Sequence, residues 1–141
     1  MSEKRKPGVA KKTAHKGPIT KVQNQKNWEG NYAGLVSACR SQLAFLVEKF
    51  DFVMDVDIRP GSAGIDFSGP RGVLSVRSDM CETPWMTAAR PGEVSFGLQR
   101  AMAAIDPDYA KSAPKEDAGH AAAIAWYAGF LRKHLDDVLP R

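Results

Sequence analysis

Three carboxylates in the middle of the chain are the first candidates for chemistry: Asp55 and Asp57, two residues apart, and Asp66 beyond a turn. Residues two apart on a strand project to the same side. Asp55 and Asp57 therefore share a face, and Asp66 joins them if the next strand pairs back. Such a set can hold a hard cation through oxygen ligands or divide acid and base roles. An open antiparallel sheet wears the same pattern on its wet side, with Arg59, Arg71 or Arg77 as cross-strand partners. We read the three as that solvated face.

Other catalytic grammar is sparse. The sequence contains no glycine-rich phosphate loop followed by lysine and a hydroxyl, and no dinucleotide fingerprint. Gly61-Ser62-Ala63-Gly64 lacks the spacing of a nucleophile turn and no helix follows it, so it reads as an inter-strand loop. His120 and His134 lie about 21 Å apart along one helix at 1.5 Å per residue, too far to share a metal. His15 sits in the N-terminal segment, and no Cys-x-x-Cys or His-x-x-x-His pair exists. Cys39 and Cys81 imply no disulfide framework, and Cys39 falls on an apolar helix stripe where a thiol is inert. No catalytic residue, metal or cofactor is expected.

Binding offers two candidates. Trp85 and Met86, with Arg77, form a plausible contact spot for a protein partner, since tryptophan, arginine and methionine concentrate at interfaces. The first 27 residues hold Lys4, Arg5, Lys6, Lys11, Lys12, Lys16, Lys21 and Lys26 against a single acid, Glu3. Such a segment can contact nucleic-acid phosphates without reading sequence, or serve only solubility. The remainder has twelve basic and fifteen acidic residues, so the basic character of the chain (net +4) belongs to this segment and not to the domain.

The elements that would position these groups follow from periodicity. Phe52, Met54, Val56 and Ile58 alternate with Val53, Asp55, Asp57 and Arg59; Ile65 and Phe67 alternate with Asp66 and Ser68; Leu74 and Val76 alternate with Ser75 and Arg77. Period two means a sheet with one apolar face. Trp85–Ala88 can add a fourth strand. Ahead of the sheet, Tyr32, Leu35, Val36, Cys39, Leu43, Leu46, Val47 and Phe50 form one stripe at helical spacing, predicting a single helix from about residue 28 or 31 to 50. Ser95 can cap a short helix with Val94 as a staple and Leu98, Ala101, Met102 and Ile105 as its apolar face. A last helix is predicted over 117–139, with Ala121, Ile124, Ala125, Ala128, Leu131, Leu135 and Val138 as its stripe and Trp126 at the edge.

The expected fold is thus α+β: an antiparallel sheet of three or four strands, covered on one face by two long helices and one short helix. The domain is expected over 28–141. Residues 1–27, polar and broken by Pro and Gly, cannot bury enough surface to offset ordering and are expected to be a disordered basic tail. The predicted core contains Leu43, Leu46, Phe50, Val56, Ile58, Phe67, Leu74, Val76, Leu131 and Leu135. No stretch has the ~18 apolar residues of a membrane span. The N-terminus resembles neither a secretory signal nor an Arg-rich mitochondrial presequence, so the expected compartment is the cytoplasm.

Leu46-Val47-Glu48-Lys49-Phe50-Asp51-Phe52, entering the sheet, and Leu131-Arg132-Lys133-His134-Leu135-Asp136-Asp137-Val138-Leu139, closing the chain, carry a resemblance over residues ~30–139, the span of the predicted elements. The chain resembles small bacterial α+β proteins without a characterised activity, some of which are immunity or accessory proteins. The resemblance implies a non-enzymatic module that binds another protein; it carries no catalytic residue over, and the lysine-rich tail stands outside it. An enzyme using Asp55, Asp57 and Asp66, and a nucleic-acid binder working through the tail, are the competing expectations.

The tail expectation is open to a direct measurement. Removal of residues 1–26 should leave the melting temperature within about two degrees, because loss of an unpacked terminus costs little. If the tail serves nucleic acid, the same deletion should abolish binding. Full engagement of its eight cations on duplex would give a log–log salt slope of about −7.

Overall fold

Alternation at period two becomes a five-stranded antiparallel meander. The computed structural model describes residues 21–141. The strands are β1 (Val53–Arg59), β2 (Ser62–Gly69), β3 (Gly72–Asp79), β4 (Trp85–Ala89) and β5 (Phe96–Gly97), in the spatial order β1-β2-β3-β4-β5. Ile58, Ala63, Ile65, Phe67, Leu74, Val76, Met86 and Ala88 are buried on one face. The other face carries Asp55, Asp57, Arg59, Asp66, Arg77 and Trp85, as the register requires. The fifth strand escaped the sequence reading because two residues are too few to show a period.

The expected first helix is cut into three: α1 (Lys21–Asn31), α2 (Ala33–Gln42) and α3 (Ala44–Phe50). The breaks fall at Tyr32 (φ −100°, ψ 4°) and Leu43 (φ −106°, ψ 14°), both fully buried. The helical path bends around the sheet at these two residues, so the stripe stays on the core for Leu35, Cys39 and Leu46 but leaves Val47 44% exposed. Asp51, left-handed at φ 61°, closes α3, and the Phe52 N–H reaches back to the Leu46 carbonyl at 3.1 Å. Asp tolerates the left-handed conformation better than most residues.

Helix α1 begins at Lys21, seven residues ahead of the expected domain start at residue 28, and Gln25 Nε2 donates to the Ile58 carbonyl at 2.7 Å. A chain cut after residue 26 loses that bond, so the deletion that spares the domain ends before Lys21. Of the predicted core, Leu43, Leu46, Ile58, Phe67, Leu74, Val76, Leu131 and Leu135 are buried. Phe50 and Val56 are only partly so, at the margin of the cluster.

Behind the sheet lie α4 (Leu98–Ile105), the one-turn α5 (Pro107–Ala110), a 3₁₀ turn at Glu116–Ala118 and α6 (His120–Val138). Leu98 and Met102 are buried as expected, but Gly97, not Ser95, precedes the helix, and Val94 is 88% exposed instead of stapling it. The pairing of Phe96 with Ala88 takes that stretch into the sheet first. Gly119, at φ 98°, separates the 3₁₀ turn from α6, where one helix was expected. Of the expected stripe, helix α6 buries Ile124, Ala128, Leu131, Leu135 and Val138 but leaves Ala121 exposed and Ala125 half-buried; it also buries Ala123, Tyr127 and Phe130. Gly129 lets the Tyr109 hydroxyl of α5 sit against the helix, where it donates to the Trp126 carbonyl at 2.7 Å; a Cβ there would occupy the hydroxyl's place.

The carbonyls at a helix C-terminus lack intrahelical donors and carry partial negative charge. Two arginines from the sheet's turns answer this at the end of α6: Arg90 Nε donates to Val138 O (3.1 Å) and Arg71 Nη1 to Leu139 O (3.3 Å). Arg71 also meets Asp136 at 2.6 Å and covers the Phe50 ring, and its guanidinium holds the Asp136 carboxyl below its ordinary range.

The β3–β4 connection is strained. Met80 (φ 49°) and Cys81 (φ 60°) are both left-handed, and the Glu82 N–H closes the turn on Asp79 O at 2.9 Å. Two central residues with positive φ suit Asn and Gly, not Met and Cys. Each L-residue held there costs about 1–2 kcal/mol. Replacement of Met80-Cys81 by Asn-Gly is therefore expected to stabilise the protein by about 1–2 kcal/mol after allowance for the entropy of glycine. Urea denaturation checks this; a destabilised variant would show that the two side chains contribute more than the strain costs.

Candidate functional site

Strand β1 is the outer strand of the meander, and its seven residues set the candidate site. Arg59 and Ser62 flank a two-residue turn and pair, so Asp55, Asp57 and Arg59 turn their main-chain groups toward β2. By the alternation of antiparallel pairing, Met54, Val56 and Ile58 aim their N–H and C=O groups away from the sheet. The Gln25 bond to Ile58 O occupies one end of that row, and the Phe52 N–H is bonded to Leu46 at the other. Among the described residues, no main-chain group bonds to Met54 or Val56 on this side.

Helices α2 and α3 overhang the same edge without reaching across it. Between them and β1 lie two clefts that meet at Arg40. One, of about 540 Å³, has Ala33, Val36 and Val56 among its walls; the other, of about 470 Å³, has Ala44, Val47 and Met54. A row of unpaired main-chain groups beside apolar recesses is the arrangement that accepts an added strand: hydrogen bonds come from the edge, and pockets take alternate side chains.

On the solvent side, Asp66 Oδ1 accepts from Ser75 Oγ (2.7 Å) and Arg77 Nη1 (2.9 Å), and Asp57 pairs with Arg59 (3.0 Å). Arg71, one of the expected cross-strand partners, lies instead at the end of α6. Asp55 stands directly opposite Asp66 in the register and has no ion-pair partner among the described residues. Like charges opposed across a ladder destabilise it. Asp55, Asp57 and Asp66 thus share a face, as expected. Among the described residues, no group of three or more His, Cys, Asp or Glu is arranged to hold a metal ion.

The expected Trp85–Met86–Arg77 contact spot is divided. Trp85 is 41% exposed and pairs across strands with Arg77 on the open face. Met86 is only 1% exposed, facing the core beside Val76. Neighbours on one strand face opposite sides, so Met86 belongs to the core and not to a contact surface. Lys4, Arg5, Lys6, Lys11, Lys12 and Lys16 lie outside the described residues. Lys21 opens α1, and Lys26 is exposed on it. No described helix is long and apolar enough to cross a membrane. The edge residues Met54 and Val56 were not singled out by the sequence reading. The available signal was that the first strand of a consecutive meander lies at its edge.

Two titratable clusters lie elsewhere. His120 Nε2 meets the Cys81 carbonyl oxygen at 3.1 Å, and Cys81 is exposed. Cys39 is buried, and burial pushes its thiol up to about 12, so it stays protonated. His134, whose backbone leaves helical geometry inside α6 (φ −127°, ψ 18°), places Nε2 3.0 Å from Asp106 and Nδ1 3.2 Å from Asp137. This group ties α6 to the cap of α5, where Asp106 also accepts from the Tyr109 N–H.

Comparison with protein-family models, curated proteins and solved structures finds no match to this chain.

The His134 ring, followed by the Tyr109 N–H, holds the Asp106 carboxyl below the ordinary carboxylate range. A carboxyl depressed by folding stabilises fully above its unfolded value of about 4 and loses that effect as pH falls through the folded value. Asp106→Asn is expected to melt below the parent at pH 7, with the gap closing between about pH 5 and pH 2. Circular dichroism melts across that range check it; a gap independent of pH would assign the loss to packing.

Proposed function

We propose that this chain is a non-enzymatic protein-interaction module, of the immunity or accessory kind its sequence resembles, acting in the cytoplasm. It meets its partner along the free edge of β1 and the adjoining open face of the sheet. The observation that supports this reading most is the β1 edge, where Met54 and Val56 have unbonded main-chain groups among the described residues, with a cleft on each side of Arg40. Natural sheets protect their edges with helices, bulges or charge because unpaired strands recruit other chains. Among the described residues, the protection consists of α1 packed beside β1, the Gln25 bond and the alternating charges of β1. Trp85 and Arg77, side by side at the far end of the open face, offer a second contact for the same partner.

A photo-crosslinking residue at Val53, which is 68% exposed, tests this in the native host. The expected result is one discrete protein adduct, lost when Asp55→Lys is added and absent when the crosslinker replaces exposed Arg100 on α4. A diffuse ladder of adducts, or equal yields from both positions, would overturn the reading.

A further inference from the structure

From the charges and clefts along β1 we infer the chemistry of the occupant: an extended protein segment that alternates apolar with lysine or arginine residues and adds to the sheet as a sixth strand. This inference rests on the interaction reading above and specifies its partner.

The register dictates the pattern. A strand added antiparallel to β1 forms its hydrogen-bonded pairs with Met54 and Val56, whose main-chain groups point outward. Side chains paired across strands share a face. The two residues opposite Met54 and Val56 therefore enter the clefts, one against Ala44 and Val47, the other against Ala33 and Val36. Each recess has apolar walls at the point of entry, Ala44, Val47 and Met54 in one and Ala33, Val36 and Val56 in the other, and has room for Val, Ile or Leu. The residue between them lies opposite Asp55 on the solvent face.

Asp55 supplies the charge preference. It faces Asp66 across the ladder, and Asp66 is already satisfied by Arg77 and Ser75. A cation on the free side of Asp55 completes that row. Glu29 and Glu48 at the cleft rims and Asp57 beyond add carboxylates; among the described residues that line the clefts or lie on β1, Arg40 and Arg59 oppose them. The same residues reject a second copy of this chain. In a two-fold β1–β1 pairing that uses the Met54 and Val56 groups, Asp55 would lie against Asp55. Pairing shifted to centre on Val56 would set Asp55 against Asp57 and need the Ile58 carbonyl that Gln25 holds. Opposed carboxylates at the centre of a new ladder disfavour both.

Three labelled, end-blocked heptapeptides read this out by fluorescence anisotropy with the full chain. One alternates valine and lysine, one replaces each lysine by glutamate, and one carries N-methyl groups on the valines of the lysine peptide. A fourth, methylated on the lysines, is the control. In the inferred pose the valine N–H groups face β1 and the lysine N–H groups face outward. The lysine peptide should bind about tenfold or more tighter than the glutamate peptide, valine methylation should abolish binding, and lysine methylation should not. Asp55→Lys, an exposed change that spares the core, should reverse the charge preference. Binding that survives valine methylation would mean electrostatic adhesion without strand addition and overturn the inference, as would failure of every peptide to bind. A dimer in sedimentation equilibrium whose dissociation exposes the edge would overturn it in favour of a second copy. If the peptides fail while the Val53 crosslink to a discrete partner persists, the occupant is wrong and the interaction reading stands.

Discussion

The fold depends on where the Tyr32 hydroxyl is held. It donates to the Ser78 carbonyl at 3.1 Å and accepts from the Cys81 N–H at 2.9 Å, in a side chain with no solvent exposure. A buried main-chain group without a partner costs far more than an average hydrogen bond returns. Tyr32 satisfies two of them where β3 ends. To do so it leaves helical geometry and separates α1 from α2. The same ring stacks between Trp28 and His120, so α1, the β3–β4 turn and the start of α6 share one anchor. The left-handed Met80-Cys81 turn persists because Tyr32, Ser78 and His120 hold its main chain at three points. Local strain of this kind survives only where surrounding contacts over-determine it.

At the opposite end, arginines replace tyrosine as the fastener. Arg71 and Arg90 arrive from the β2–β3 and β4–β5 connections and bind the terminal carbonyls of α6. The tight β2–β3 turn depends on Gly72, whose φ of 138° and closeness to the Ala89 carbonyl leave no room for a Cβ. Sheet and last helix are thus pinned at both ends, and the apolar contacts between them are confined to one face. The uncovered face is left to charge, in the pairs Asp57–Arg59 and Asp66–Arg77.

Function is best sought where this fastening stops. Along β1, among the described residues, Gln25 is the side chain that bonds across to the strand's outer main-chain groups. Among the described residues, the outer strand has two residues' worth of main-chain groups without partners, flanked by carboxylates. On the proposed reading, that combination would resist self-association while favouring a cationic strand. Selectivity by charge with affinity from main-chain bonds suits a module that must meet one partner and ignore its own copies.

The sequence by itself determined the elements that rest on local periodicity. Alternation from Phe52 to Arg77 located three strands and the apolar face, because side chains on a strand can only face one way or the other. The stripes from Leu35 to Leu46 and from Ile124 to Val138 located the helices that cover it. Period two also denied Trp85 and Met86 a common face, a consequence their proximity in sequence concealed. What the tertiary structure alone decided involves partners far apart in the chain: Tyr32 with Ser78, Gln25 with Ile58, Arg71 with Asp136. These contacts set where the first helix breaks, where the domain begins and how the last helix ends. No local pattern contains them, since each exists only once the sheet has brought both residues to one place. The open edge of β1 is of this second kind, for a strand is an edge only by virtue of what does not pack beside it.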